Sequence, residues 1–114
     1  MMTVFGIKNC DTVKKATAWL EQNNIAYTFH DVRQHPVDVD TVLAWLQQVP
    51  AEKLVNKRST TWRQLTDEQR QLNSDDAAAQ LIVDNPTLFK RPLVEDTQGI
   101  HVGFKADDWQ TRYQ

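Results

Sequence analysis

"TVFGIKNCDTVKKATAWLEQNNIAYTFHD", residues 3–31, changes its hydrophobic period twice, and those changes decide the fold. Thr3 to Ile7 is short, apolar and rich in β-branched and aromatic residues, which predicts a strand. Val13, Ala16, Trp19, Leu20 and Asn24 then recur at three- and four-residue steps. That is the stripe of an amphipathic helix starting near Asp11 or Thr12, with Asn23-Asn24 as its stop. Ile25, Tyr27 and Phe29 alternate with smaller or polar residues and predict a second strand ending near Asp31 to Arg33, where His35-Pro36 breaks the pattern. Short connections and the right-handed crossover make the two strands parallel neighbours.

The middle of the chain reads as helical pieces. Asp38 is a plausible N-cap for a helix over Val39 to Val49, and Pro50 closes or restarts it. Thr66 and Gln69 have the spacing of a capping box that opens a short helix to about Leu72, and Ser74-Asp75 can cap another carrying Ala78, Leu81 and Ile82. "DNPTLFKRP" ends that helix, since residues before proline avoid the helical region. Leu93 to Glu95 and Ile100 to Phe104 flank Asp96-Thr97-Gln98-Gly99, read as a four-residue hairpin connection. Asp107-Asp108 mark the start of a final helix, where negative charge is favoured. The order βαβ, helices, ββα predicts an α/β protein with one mixed four-stranded sheet. It is read as a single domain over 1–114 with a helical insertion at about 38–85.

Of the 114 residues, 40% are hydrophobic and 25% charged, an ordinary balance for a folded domain. A net charge of −2 supplies no electrostatic footprint for nucleic acid. No stretch has the length and apolarity of a membrane span, the N-terminus lacks signal-peptide features, and a cytoplasmic location is expected. One cysteine cannot form an intramolecular disulfide, which suits a reducing compartment. His30, His35 and His101 show no metal-ligand spacing, so no metal site is expected and each reads as an exposed or edge histidine. Trp19, Trp45, Trp62 and Trp109 read as packing residues, two of them on helical stripes.

Cys10 is the residue that stands out. A thiol between a strand and a helix start meets backbone N–H groups and the helix dipole, with Lys8, Lys14 and Lys15 nearby in sequence. Such surroundings lower a cysteine from about 8.5 toward the range of roughly 3.5 to 7.5, so a reactive thiolate is expected.

"GIKNCDTVKKA", "LVNKRSTTWRQL", "NPTLFKRPLV" and "VGFKADDW" together resemble, in order and spacing, the arsenate reductase/Spx family, with the YffB-like branch the nearest match. The resemblance spans essentially the whole chain. It implies a thioredoxin-like fold with a helical insertion between the second and third strands. It makes Cys10 the nucleophile, Arg91 a binder of anionic substrate, and Pro92 the proline held in cis beside the catalytic loop. Arg58 corresponds loosely to another arginine of the family, whose own position falls nearer Asn56. Two departures matter. Phe104 stands where arsenate reductases carry a third arginine, with Lys105 one step later, and lysine lacks the planar fork that grips oxyanions. Val13 stands where redox-switch members carry a second cysteine.

These features imply a glutathione-dependent thiol oxidoreductase with a monothiol exchange cycle at Cys10. Asp11 and Thr12 would present helix-entry amides, while Arg91, Arg58 and Lys8 would hold carboxylates of glutathione or another anion. Asp107 or Asp108 could accept from the γ-glutamyl amine, by analogy with glutaredoxin-like sites. No bound cofactor is implied; glutathione is the co-substrate, and the substrate is a small thiol, disulfide or oxyanion. The alternative is a non-catalytic Spx-like adaptor for a protein partner such as RNA polymerase.

Overall fold

In the computed structural model, which describes residues 2–114, the elements run β1 (Thr3–Gly6), α1 (Asp11–Gln22), β2 (Thr28–Asp31), α2 (Val39–Leu46), α3 (Ala51–Leu54), α4 (Thr60–Gln64), α5 (Asp67–Arg70), α6 (Asp75–Asp84), β3 (Leu93–Asp96), β4 (Gly99–Val102) and α7 (Ala106–Tyr113). They form two compact units. One runs to Asp31 and resumes over Arg91–Gln114; the other is Val32–Lys90.

The first unit holds the sheet, in the order β2-β1-β3-β4. β1 and β2 are parallel with Gly6 opposite Asp31, as the crossover rule requires. β1 and β3 are antiparallel with Phe5 opposite Leu93, and β3 and β4 are antiparallel with Leu93 opposite Val102. Val4 and Val94 face a cluster made by Ala16 and Leu20 of α1 and Trp109 of α7. Trp19, Phe104 and Tyr113 pack around its rim, with Trp19 and Phe104 each edge-on against Trp109.

Element boundaries differ from the sequence reading in ways that local chemistry explains. β1 ends at Gly6 rather than Ile7. A Cβ on Gly6 would stand 2.8 Å from a methyl of Val13, so only glycine lets the first turn of α1 press this closely on the strand. Asn24 is not on the helical stripe: Asn23 is the C-cap and Asn24 adopts φ 57, the left-handed stop that asparagine tolerates. β2 begins only at Thr28, and the alternation of Ile25 and Tyr27 reflects packing against the core cluster instead. The hairpin connection is shorter than expected, because Asp96 pairs with Gly99 and only Thr97-Gln98 turn. Gly99 supplies the φ of 127 that the turn needs, and Asp96 Oδ1 accepts from the Gln98 N–H at 2.8 Å. β4 ends at Val102, short of the expected Phe104.

The second unit is helical, and α2 packs on α6. Asp38 caps α2 by accepting from the Thr41 N–H and hydroxyl, which hold its carboxyl below its ordinary range. α2 ends at Leu46 rather than Val49, and Pro50 then restarts the chain as the N-cap of α3. The Thr66–Gln69 capping box is formed, but α5 closes at Arg70, with Leu72 at φ 49. α4 lies within a stretch with no helix in the sequence reading; Ser59 caps it by accepting from the Trp62 N–H. Trp45 and Phe89 are buried with ring centroids 5.4 Å apart, and an isolated bridge joins Val55 to Phe89. Among the described residues, no helix is long and apolar enough to cross a membrane.

Candidate active site

Strand directions gather the chemistry at one end of the first unit. The C-terminal ends of β1, β2 and β4 and the N-terminal end of β3 all lie on the same side of the sheet. The β1–α1 loop, the Arg91-Pro92 pair and the Gly103–Lys105 connection therefore converge there. Open α/β sheets place ligand sites at such an end.

Cys10 is the N-cap of α1, with extended backbone (φ −116, ψ 121). Its carbonyl accepts from the Lys14 N–H at 3.0 Å, which closes the first turn. No side-chain cap bond closes this helix, from the Cys10 sulfur or any other group, so its first-turn amides are left open at the residue that carries the thiol. Cys10 is a free, half-buried cysteine. Asp11 is exposed, Thr12 half-buried, and Lys8 exposed in the turn before the cysteine. Val13, 3% exposed, fills the third helical position against Gly6, so the place of a second thiol is taken by a packed valine.

The Arg91–Pro92 bond is cis, as the resemblance implied. Pro92 is buried and Arg91 half-buried. The Pro92 carbonyl accepts from the Gly103 N–H at 2.9 Å, which joins the entry of β3 to the exit of β4. Gly103 has φ 83, and there the chain opens into a cavity of about 510 Å³ bounded by β4 and α7. Phe104 and Trp109 give it apolar walls, Lys105 and Arg112 positive charge, and Asp108 negative charge. Both Asp107 and Asp108 stand in the first turn of α7, but only Asp108 lines the cavity. Arg58 belongs to the second unit, where its N–H donates to Asn56 Oδ1 at 3.1 Å. It lines a separate cavity of about 370 Å³ with Lys57 and Lys90. The structure thus groups Cys10, Asp11, Thr12, Lys8, Arg91 and Pro92 on one unit and carries Arg58 on the other.

Sequence reasoning missed a buried polar cluster at the opposite end of the sheet. Asp96, with its side chain 8% exposed, accepts from Arg112 Nε at 2.8 Å and Nη2 at 3.0 Å, and from the Tyr113 hydroxyl at 2.6 Å. Burial alone would raise the Asp96 carboxyl; the bonds from Arg112, Tyr113 and the Gln98 N–H outweigh it and hold the carboxyl far below its ordinary range. Tyr113 is pushed well up by burial and by the Asp96 carboxylate. His101 Nε2 lies 2.6 Å from the same hydroxyl. The hydroxyl has one proton and gives it to Asp96, so Nε2 must carry the proton and donate. His101 is pushed down by burial and then by the Arg112 charge, against the pull of Asp96. It is indeed an edge-strand histidine, but a half-buried one, stacked edge-on to Trp109. The cluster pins the C-terminal end of α7 to the β3–β4 hairpin. The only local sign was acidic, basic and aromatic residues at the ends of adjoining elements.

A protein of Haemophilus influenzae is 40% identical over 113 residues, covering 99% of each chain. The global transcriptional regulator Spx of Staphylococcus haemolyticus is 29% identical over 110 residues, 95% of this chain and 83% of the regulator. The solved structure of a YFFB protein superposes with a TM-score of 0.91 at 32% identity, covering 97% of both chains. The fold is thioredoxin-like, of the thiol oxidoreductase type. The ArsC family model matches residues 5–112, nearly the whole chain: the chain belongs to the ArsC family.

Proposed function

We propose that this protein is a glutathione-dependent thiol oxidoreductase that works by monothiol exchange at Cys10. The observation that carries the reading is the placement of the chain's one cysteine at the open N-cap of α1, on the end of the sheet where Arg91 enters β3. A thiolate is the nucleophile in disulfide exchange, and a helix N-terminus favours negative charge.

The Cys10 thiolate attacks one sulfur of a disulfide RS–SR′, forming Cys10–S–SR as R′S⁻ leaves and takes a proton from solvent. A first glutathione thiolate attacks the Cys10 sulfur and releases RSH. A second attacks the glutathione sulfur of the new mixed disulfide, frees the Cys10 thiolate and leaves oxidised glutathione. Two glutathiones are oxidised and one disulfide is reduced to two thiols. With Val13 at the third helical position, the chain has no second cysteine to resolve the intermediate, which is why an external thiol is assigned.

In this reading Asp11 and Thr12 present the amides that hold the sulfur's charge. Arg91 and Lys8 bind carboxylates of glutathione or of an anionic substrate, and Pro92 shapes the wall across from the nucleophile. The cavity beyond Gly103 has the volume of a small-ligand site, and its Lys105 and Asp108 match the opposite charges of a γ-glutamyl group. The missing third arginine argues for a thiol or disulfide substrate over arsenate. The setting assigned is the cytoplasm, where glutathione is abundant.

The test is turnover coupled to glutathione reductase, with intact-mass detection of the Cys10–glutathione adduct. Wild type should cycle, and Cys10→Ser should show neither adduct nor turnover. The similarity to Spx favours one second reading, an adaptor that binds a protein partner such as RNA polymerase without turnover. An adaptor keeps its function in Cys10→Ser and loses it through surface changes on Val32–Lys90.

A further inference from the structure

Near the nucleophile in the chain lies a groove that the exchange cycle uses only through Lys8 at its rim. Lys8, in the turn before Cys10, and Lys14, one helical turn after it, form its rim. Its volume is about 230 Å³. Val13, Tyr27 and Phe29 make the floor, an apolar surface continuous with the core cluster. Thr17 completes the wall; its hydroxyl donates to the Val13 carbonyl at 3.1 Å, so its oxygen can accept from a ligand N–H. The residues that line the groove include no carboxylate. Negative charge borders it at one lining residue, Tyr27, whose hydroxyl donates to Glu21 at 3.4 Å.

We propose that the Lys8–Lys14 groove receives an acidic polypeptide segment that flanks the disulfide attacked by Cys10. The occupant follows from charge and shape together. A bare anion would gain nothing from the Val13, Tyr27 and Phe29 floor, whereas a peptide can place an apolar side chain there, donate an N–H to Thr17 and direct its carboxylates to the two lysines. The whole chain carries a net charge of −2, so at a distance it repels acidic partners. A preference for them must come from local charge. Protein disulfides with acidic flanks are thus the substrate class assigned to this site, an assignment that rests on thiol exchange at Cys10.

The probe is a pair of peptides of equal length, one acidic and one basic around a single cysteine, each disulfide-linked to thionitrobenzoate. Attack by Cys10 forms the Cys10–peptide disulfide and releases coloured thionitrobenzoate, with no glutathione required. Wild type should prefer the acidic peptide by about tenfold at low salt, and the preference should shrink toward unity near 1 M salt. Lys14→Glu should reverse the order. Any general effect of that change on the thiol acts on both peptides and cancels in the ratio. Lys53→Glu, an equal change in net charge on exposed α3, should keep the wild-type preference. Equal rates for the two peptides with wild type, or equal shifts in Lys14→Glu and Lys53→Glu, would overturn the groove assignment and leave the exchange reading intact. If neither peptide reacts faster with the protein than with glutathione alone, thiol exchange itself is refuted and the groove assignment falls with it.

Discussion

Asp96→Asn tests whether the cluster at the C-terminal end of α7 holds the first unit together. The wild-type carboxylate uses both oxygens: Oδ2 accepts from Arg112 Nε and the Tyr113 hydroxyl, and Oδ1 from Arg112 Nη2 and the Gln98 N–H. Asparagine fits the same space but turns one oxygen into an NH₂ that cannot accept. Either amide orientation strands one guanidinium donor and one neutral donor in a site whose wild-type side chain is 8% exposed. A hydrogen bond to a charged group contributes roughly 1.5–3 kcal/mol and a neutral one roughly 0.5–1.5, so the expected loss is about 2–4 kcal/mol. For a chain of this size each kcal/mol moves the midpoint by about 4 °C, so Tm should fall by roughly 8–16 °C at pH 7. The sign with pH follows from the depressed Asp96 carboxyl. Its contribution is complete above the ordinary carboxylate range and is lost as pH falls through and below it. The substituted amide cannot titrate, so the gap between variant and wild type should narrow steadily below about pH 4. Thermal and urea unfolding at a neutral, a mildly acidic and a strongly acidic pH reads both effects. A loss under about 0.5 kcal/mol at pH 7, or a gap that stays constant on acidification, would refute the assignment of stability to this carboxylate.

Three further outcomes are expected. His101 is pushed down by burial, so unfolded chains bind a proton that folded chains resist, and stability should fall as pH drops below about 6.5. His101→Gln keeps a donor for Tyr113 without a titrating ring and should flatten that slope in unfolding curves between about pH 7 and 5. Gly6→Ala places a Cβ 2.8 Å from Val13 and should cost about 1–3 kcal/mol while slowing alkylation of Cys10, because α1 must back away from β1; unchanged stability and alkylation would break the link between strand end and thiol. Val13→Cys creates a Cys-x-x-Cys pair at the N-cap and third helical position, and oxidation should remove both thiols from a thiol titration as an internal disulfide, with no glutathione adduct surviving.

What the sequence revealed and what it concealed separate by the range of the interactions. The period changes in residues 3–31, the Asp38, Thr66 and Ser74 caps and the turn before Leu93 are set by neighbours within a few residues, and each was readable from them. Cys10 was readable for the same reason, since its environment is the start of its own helix. The strand ends were not. Gly6 terminates β1 because Val13 returns against it, and Asp96 pairs with Gly99 because the hairpin is tighter than its composition suggested. The Asp96, His101, Arg112 and Tyr113 cluster lay beyond reach entirely, because its members belong to three elements that meet only after the sheet has formed. That cluster also gives the fold a division of labour. α7 is fixed at its C-terminal end by Arg112 and Tyr113, and by Gln114 donating to Asn23 Oδ1, while its first turn carries Asp108 on the cavity that opens at Gly103. The Asp96 carboxylate thus ties the hairpin to the last helix at the end of the sheet away from Cys10, while Arg112 and His101 of the same cluster also line the cavity at Gly103.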